Sequence, residues 1–190
     1  MSHITESLPE IYMMTGKFND HKDFKNKLTH ALSQGHKVVQ FRKKDIENSD
    51  YLALAKIAKS VCKQFNSILL LGTSVDVFSQ ADADGLHLNS QALFEYDSRP
   101  ISDKQLLSVS CHNLEEMKQA EKLGADILML SPVKATASHP ELEGIGWQQF
   151  SSMIKNVKCP VYALGGMQVT DLNDAKQAGA QGVAVSSFWQ

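Results

Sequence analysis

Three groups of residues in this chain could do chemistry, and each closes a short apolar run. In VVQFRKK, Gln40, Arg42 and Lys44 fall on every second position. In a strand they share one face, with Val39 and Phe41 on the other. Arg and Lys together suit an anionic ligand, although an exposed edge strand would carry the same pattern without function. In LLSVSCH, Ser108, Ser110 and His112 share a face in the same way. His112 ends the run directly before a helix cap, where an imidazole could move a proton near neutral pH or simply lie on the surface. The third group pairs Gly165-Gly166 with Ser186-Ser187, at the ends of the last two apolar runs. Glycines let backbone N–H groups close on an anion, and a turn after Ser187 could aim a helix N-terminus at it. A tight loop is the plainer explanation of two adjacent glycines.

A metal centre is the competing chemistry. His87, His112 and His139, with Cys111 beside the second, could supply zinc ligands. Their spacings match no helical ligand pair, and Cys111 should point away from His112, so no metal site is expected. The segment SPVKATASHPELEGIGW (131–147) is long, rich in hydroxyls and bracketed by Pro and Gly. It is expected to cover the site, with a plain connector as the alternative.

Positioning these groups takes a scaffold of alternating strands and helices. Strands are predicted at 10–15, 37–43, 67–72, 85–88, 106–111, 127–131, 160–165 and 182–186. In segment 49–65, Leu52, Ala55, Ile57, Ala58, Val61, Cys62 and Phe65 recur near the helical period. Asn113 with Glu116 reads as a capping box for a helix over 113–123, and Thr170 with Asn173 as a weaker one for 171–178. Gly124 and Gly179 sit where left-handed helix ends are expected. AEKLGADILMLS (120–131) and AKQAGAQGVAVS (175–186) repeat one unit 55 residues apart, and QADADGLHLNS (80–90) is a looser third copy.

Eight strands of this kind predict an α/β chain: a single compact (β/α)8 TIM barrel over 1–190, although such barrels more often take about 250 residues. A doubly wound open sheet would more often carry a Gly-rich dinucleotide turn after its first strand, and none is present. In a barrel the three groups meet at the C-terminal mouth, where the loops after the seventh and eighth strands usually bind phosphate. Only SSFWQ follows the last strand, so the eighth outer helix should be missing or reduced. Phe188, Trp189, the N-terminal segment or a second subunit must cover that gap, and a homodimer using this face is expected.

Composition narrows the function classes. The chain is 43% hydrophobic and 21% charged, with eleven Gly, five Pro and no low-complexity run, which fits one core and a folded chain throughout. A net charge of -2, with no face-sized concentration of Lys or Arg, makes nucleic acid and anionic membrane poor partners. Cys62, Cys111 and Cys159 form no paired spacing. Neither a secretory start nor a bilayer-length apolar run is visible, so a cytoplasmic protein is expected.

Together, QFRKK (40–44), ADGLHL (83–88), SVSCHNLEE (108–116), GADILMLSPVKATASHP (124–140), PVYALGG (160–166) and GAQGVAVSS (179–187) resemble the thiamin phosphate synthase family and its relative, the thiazole tautomerase. The chain also resembles the synthase-like domain fused behind a Nudix hydrolase in some bacteria, which implies a Nudix-type hydrolase as a possible partner. The synthase joins a pyrimidine pyrophosphate to a thiazole phosphate and releases pyrophosphate. By that resemblance Gln40, Arg42 and Lys44 face the pyrophosphate, Ser110 the pyrimidine, and Thr136 and Ser138 the thiazole phosphate. Gly165, Gly166, Val185 and Ser186 cradle the same phosphate through the backbone.

The departures from the family pattern fall on one side. Gly72-Thr73 stands where the family has Asn-Asp, Ala92 where it has an acidic residue, and His139 where it has a Lys facing the pyrophosphate. The lost carboxylates hold the magnesium that helps pyrophosphate leave, and Asp45 and Asp76 occupy neither position. The tautomerase uses a His in its Ser-x-His segment, here His112, to move a proton on a thiazole phosphate carboxylate. The sequence therefore predicts a protein of thiamin biosynthesis or salvage that isomerises thiazole phosphate at His112 without a cofactor. A synthase, with magnesium bound at other ligands, is the alternative. A non-catalytic domain that binds thiazole phosphate or thiamin phosphate is a further one.

Overall fold

In a computed structural model of the chain, which describes residues 8–135, 143–186, 188 and 189, eight parallel strands close on themselves. They are β1 (Ile11–Met14), β2 (Val38–Phe41), β3 (Ile68–Leu71), β4 (Gly85–Leu88), β5 (Leu106–Cys111), β6 (Ile127–Leu130), β7 (Val161–Ala163) and β8 (Gly182–Val185). Each pairs with the next in sequence, and β8 returns to β1 with Tyr12 opposite Ala184. Every predicted strand is present. Most are shorter than their apolar runs, because the ladder stops where the chain turns into the loops of the mouth.

The outer layer consists of α1 (His21–Ser33), α2 (Asn48–Gln64), α3 (Val75–Phe78), α4 (Leu114–Lys122), α5 (Gly146–Ile154) and α6 (Leu172–Gln177), with 3-10 turns at Ala92–Glu95 and Val169–Asp171. After β3 and β4 the crossover is a single turn rather than a long helix. That economy is how 190 residues close a barrel that usually takes about 250.

Strand alternation divides the apolar residues into two cores. Tyr12, Val38, Leu70, Leu106, Met129 and Tyr162 fill the barrel, while Met13, Val39, Leu69, Leu107, Leu128 and Val183 face the helices. The lower end is closed by the N-terminal segment: Leu8 is buried against the inner core, and its carbonyl accepts from Gln181 Nε2 at 2.6 Å. At the closing seam, a Cβ on Gly182 would lie 1.8 Å from the Glu10 carbonyl oxygen, so only glycine lets β8 approach β1.

The internal repeat has a physical basis. Asp84, just before β4, accepts the Leu69 N–H of the preceding strand at 2.9 Å and pairs with Lys59 at 2.6 Å. Asp126, just before β6, accepts the Leu107 N–H at 2.8 Å and pairs with Arg99 at 2.7 Å. The polar residue ahead of the strand thus satisfies a backbone donor at the lower rim in these two copies, whereas Gln181 of the remaining copy satisfies the Leu8 carbonyl instead.

One expectation needs correction here. No helix follows β8 among the described residues; Trp189 N–H instead turns back to the Ser186 carbonyl at 3.1 Å, so no helix N-terminus is offered there to an anion. Trp189 is buried against Gly16, its ring centroid is 5.5 Å from that of Phe24, and its indole N–H donates to the Lys17 carbonyl at 2.9 Å. The chain thus covers its own seam with Trp189, one of the fillers expected for it. No helix among the described residues is long and apolar enough to cross a membrane.

Candidate active site

One side of the mouth is built by backbone. Gly165 (φ 92) and Gly166 (φ 66) both occupy the left-handed region, directly after β7. The chain leaving β6 lies on them: Val133 N–H donates to the Leu164 carbonyl at 2.9 Å and Lys134 N–H to the Gly165 carbonyl at 3.1 Å. A Cβ on Gly165 would be 2.7 Å from Pro132 Cα, and one on Gly166 would be 2.8 Å from the Ala135 carbonyl oxygen. Conformation and close approach both demand glycine, so the pair does more than shorten a loop. Ser186 is exposed at the end of β8, whereas the Val185 side chain is buried in the outer core, which leaves only its backbone for the mouth. Ser187, Thr136, Ser138 and His139 lie outside the described residues.

The opposite side is built by side chains. Gln40 is no edge residue: it is 1% exposed inside the closed barrel, with Oε1 accepting from the Tyr12 hydroxyl at 3.1 Å. Arg42 and Lys44, past the end of β2, are exposed. Arg42 is anchored through its N–H to Thr15 Oγ1 at 3.2 Å. Gly72 sits against this pair; a Cβ there would lie 3.1 Å from Gln40 Nε2 and 3.2 Å from Arg42 Cβ.

Between the two sides runs a buried polar layer. The His87 ring contacts Ser108 Oγ through Nδ1 at 3.0 Å and Ser110 Oγ through Nε2 at 2.9 Å. Burial, with the Arg42 guanidinium adding to it, lowers the His87 pKa to about 3. The ring is therefore neutral near pH 7, donating from one nitrogen and accepting at the other. It fixes the hydroxyl of Ser110, which is half-buried at the mouth. Both His87 nitrogens are taken, so it is not available as a zinc ligand beside His112.

His112 is held from two directions. Its N–H donates to Glu116 Oε2 at 2.6 Å, while Asn113 Oδ1 accepts the Glu116 N–H at 2.9 Å. Asn113 thus caps the helix as predicted, while the return bond from Glu116 goes to the N–H of His112 and ties down its backbone. The Nδ1 atom lies 2.9 Å from the Ser131 carbonyl oxygen, which can only accept, so Nδ1 carries the proton and Nε2 is left as the acceptor. An exposed imidazole with a fixed tautomer at the mouth is equipped to move a proton. Similarly, Gln168 and Asp171 form the capping box after β7, in place of the expected Thr170 and Asn173.

The sequence profile of the family described as thiamine monophosphate synthase matches residues 11–188. This chain belongs to that family. It is 33% identical over 182 residues to a putative thiamine-phosphate synthase 2 of Aquifex aeolicus, covering 96% of this chain and 98% of that one. It is 29% identical over 176 residues to a thiamine-phosphate synthase of Fusobacterium nucleatum, covering 92% and 85%. Among solved structures, the thiamine phosphate pyrophosphorylase of Pyrococcus furiosus superposes with a TM-score of 0.77 at 25% identity, covering 94% of this chain and 85% of the other. The family is one of thiamin biosynthesis, as the motifs imply, but the relatives carry the synthase name and not that of the isomerase.

The magnesium that the synthase family implies finds no matching donors at the positions that would hold it. Gly72, Thr73 and Ala92 offer no carboxylate, and the Gln40 amide and the Arg42 stem lie against Gly72. Among the described residues no three His, Cys, Asp or Glu side chains group as a metal site. The residues present do not fit that ion.

Some participants escape sequence reasoning. Tyr12 and the twofold use of His87 depend on partners on the neighbouring strand, more than twenty residues on in sequence, which alternation does not reveal. The pairing of Lys134 with Asp171, 2.7 Å apart beside the glycine cradle, is also long-range. Its one local signal is the Gln168…Asp171 capping spacing.

Proposed function

We propose that this chain is a thiamine-phosphate synthase-type transferase, acting on a thiazole phosphate and a pyrimidine pyrophosphate at the barrel mouth. The observation that carries the reading is the opposition of a glycine-built anion cradle and a cationic β2 end. It occurs in a chain that aligns nearly end to end with relatives named for this activity. In this reading Gly165, Gly166 and the backbone at Val185 and Ser186 hold the thiazole phosphate, with Thr136 and Ser138 contributing from the loop after β6. Ser110, oriented by neutral His87, positions the pyrimidine.

The thiazole nitrogen forms the new C–N bond as the C–O bond to pyrophosphate breaks. Arg42 and Lys44 meet the charge that develops on the leaving group. Incubation with both substrates, following pyrophosphate release, tests the proposal: saturable release requiring both substrates is expected, and its absence would refute the transferase.

A specific observation supports a second reading. His112, with Nδ1 tied to Ser131 and Nε2 open, suits proton transfer on a thiazole phosphate carboxylate, the tautomerase reaction. Conversion of that carboxylate with no pyrimidine present, lost in His112→Ala while phosphate binding persists, would favour this reading over the transferase.

A further inference from the structure

We propose that Lys134 and Asp171 form an electrostatic latch on the glycine cradle, with Lys134 the positioning residue and counter-charge for the bound phosphate and Asp171 its internal competitor. The proposal rests on the reading of Gly165-Gly166 as a phosphate cradle. Lys134 is joined to that cradle at the root of its side chain. Its N–H donates to the Gly165 carbonyl at 3.1 Å, and its Cβ lies 2.9 Å from where a Cβ on Gly166 would be. From this root the side chain reaches Asp171, Nζ to Oδ1 at 2.7 Å. The other carboxylate oxygen accepts the Gln168 N–H at 3.0 Å, closing the turn that follows the glycines.

Asp171 is 8% exposed. Burial alone would push its carboxyl up, but the bonds from Lys134 and the Gln168 N–H outweigh that and hold it below the usual carboxylate range. A buried, ionised carboxylate beside a cradle for a phosphate dianion opposes the ligand unless a cation stands with it. Lys134 supplies that cation. Its side chain is 46% exposed, so as a surface ion pair it contributes little to stability. An ammonium also has three donors, of which Asp171 takes one in the structure, so the same group can serve an incoming phosphate.

A strap that only braces the loops and a latch that sets the field at the cradle predict different things. For a strap, removing either partner loosens the cradle and weakens binding. For the latch, Lys134→Met leaves the carboxylate uncompensated. Asp171→Asn keeps an acceptor for the Gln168 N–H and releases the whole ammonium to the ligand. The test is calorimetry on the full chain with inorganic phosphate and with thiazole phosphate, at low ionic strength, alongside thermal unfolding.

The expected result is that Lys134→Met raises Kd about tenfold and Asp171→Asn lowers it about threefold. Lys134→Arg, which keeps the charge, should stay within about twofold of the unaltered chain. Weaker binding in both Lys134→Met and Asp171→Asn, or no change in Lys134→Met, overturns the latch. Should Lys134→Met not fold, Asp171→Asn alone decides, since only the latch tightens it. Absence of binding of either probe to the unaltered chain would instead overturn the cradle reading, and the latch with it.

Discussion

The two sides of the mouth are built from different materials. On the β6–β8 side the surface of the mouth is backbone: two left-handed glycines pressed under the chain that leaves β6. On the β2–β5 side it is side chains, an exposed Arg42 and Lys44 above a buried layer of Gln40, Tyr12, His87 and two serines. The backbone side tolerates no change of residue at its two key positions. The side-chain side departs from the family pattern at Gly72, Thr73 and Ala92 and still keeps a connected polar layer. Under the proposed function, the contrast gives phosphate binding to rigid backbone geometry, and charge handling on the far side to side chains.

The largest expected effect is on the side-chain side and appears in stability. His87 has a pKa of about 3 when folded, against about 6.5 for an unperturbed imidazole, so the unfolded chain binds the extra proton. Its contribution is complete above about pH 6.5 and declines as pH falls toward 3, by roughly 5 kcal/mol in all. Chemical unfolding from pH 7 to pH 4 should show this loss, and His87→Gln should flatten it. An unchanged slope would mean that His87 is not the neutral centre of the layer.

Next comes Gly166→Ala. It forces a side chain into the left-handed region and against the Ala135 carbonyl, and should cost on the order of a hundredfold in thiazole phosphate Kd. Pyrimidine pyrophosphate binding, measured separately, should move much less. Equal loss of both ligands would dissolve the division between the sides.

Arg42→Met is the reciprocal probe. It should weaken pyrimidine pyrophosphate by roughly tenfold while thiazole phosphate affinity holds. The smallest effect is expected for His112→Gln in the coupling reaction, a reduction of less than about tenfold. A loss of a hundredfold or more would be general acid–base scale and would move catalysis to His112.

Much of this was legible in the residues. All eight strands follow from short apolar runs, and the glycines at Gly165-Gly166, Gly124 and Gly179 all prove left-handed. Local signals carry those features, because a strand period or a helix end is written within a few residues. The cap shared by Asn113 and Glu116 was legible too, but not that it would grip the N–H of His112. Side-chain contacts from one strand to the next were not: nothing near Gln40 announces Tyr12, and nothing near His87 announces that both its nitrogens are occupied. Gln40 shows what the strand pattern leaves out: it is 1% exposed, its Oε1 accepts from Tyr12 and its amide nitrogen lies toward Gly72. What fills the β8–β1 seam was open in the sequence, because nothing near Trp189 announces that it folds back onto Gly16 and Phe24.

The central claim is that the glycine cradle and the cationic β2 end serve one reaction that joins two substrates. Pyrophosphate release measured with thiazole phosphate and pyrimidine pyrophosphate together, and with each alone, tests it most directly. The account predicts release only when both are present, saturating in each and abolished by Gly166→Ala at moderate thiazole phosphate. No release with both substrates, in a chain shown to bind thiazole phosphate, would contradict it.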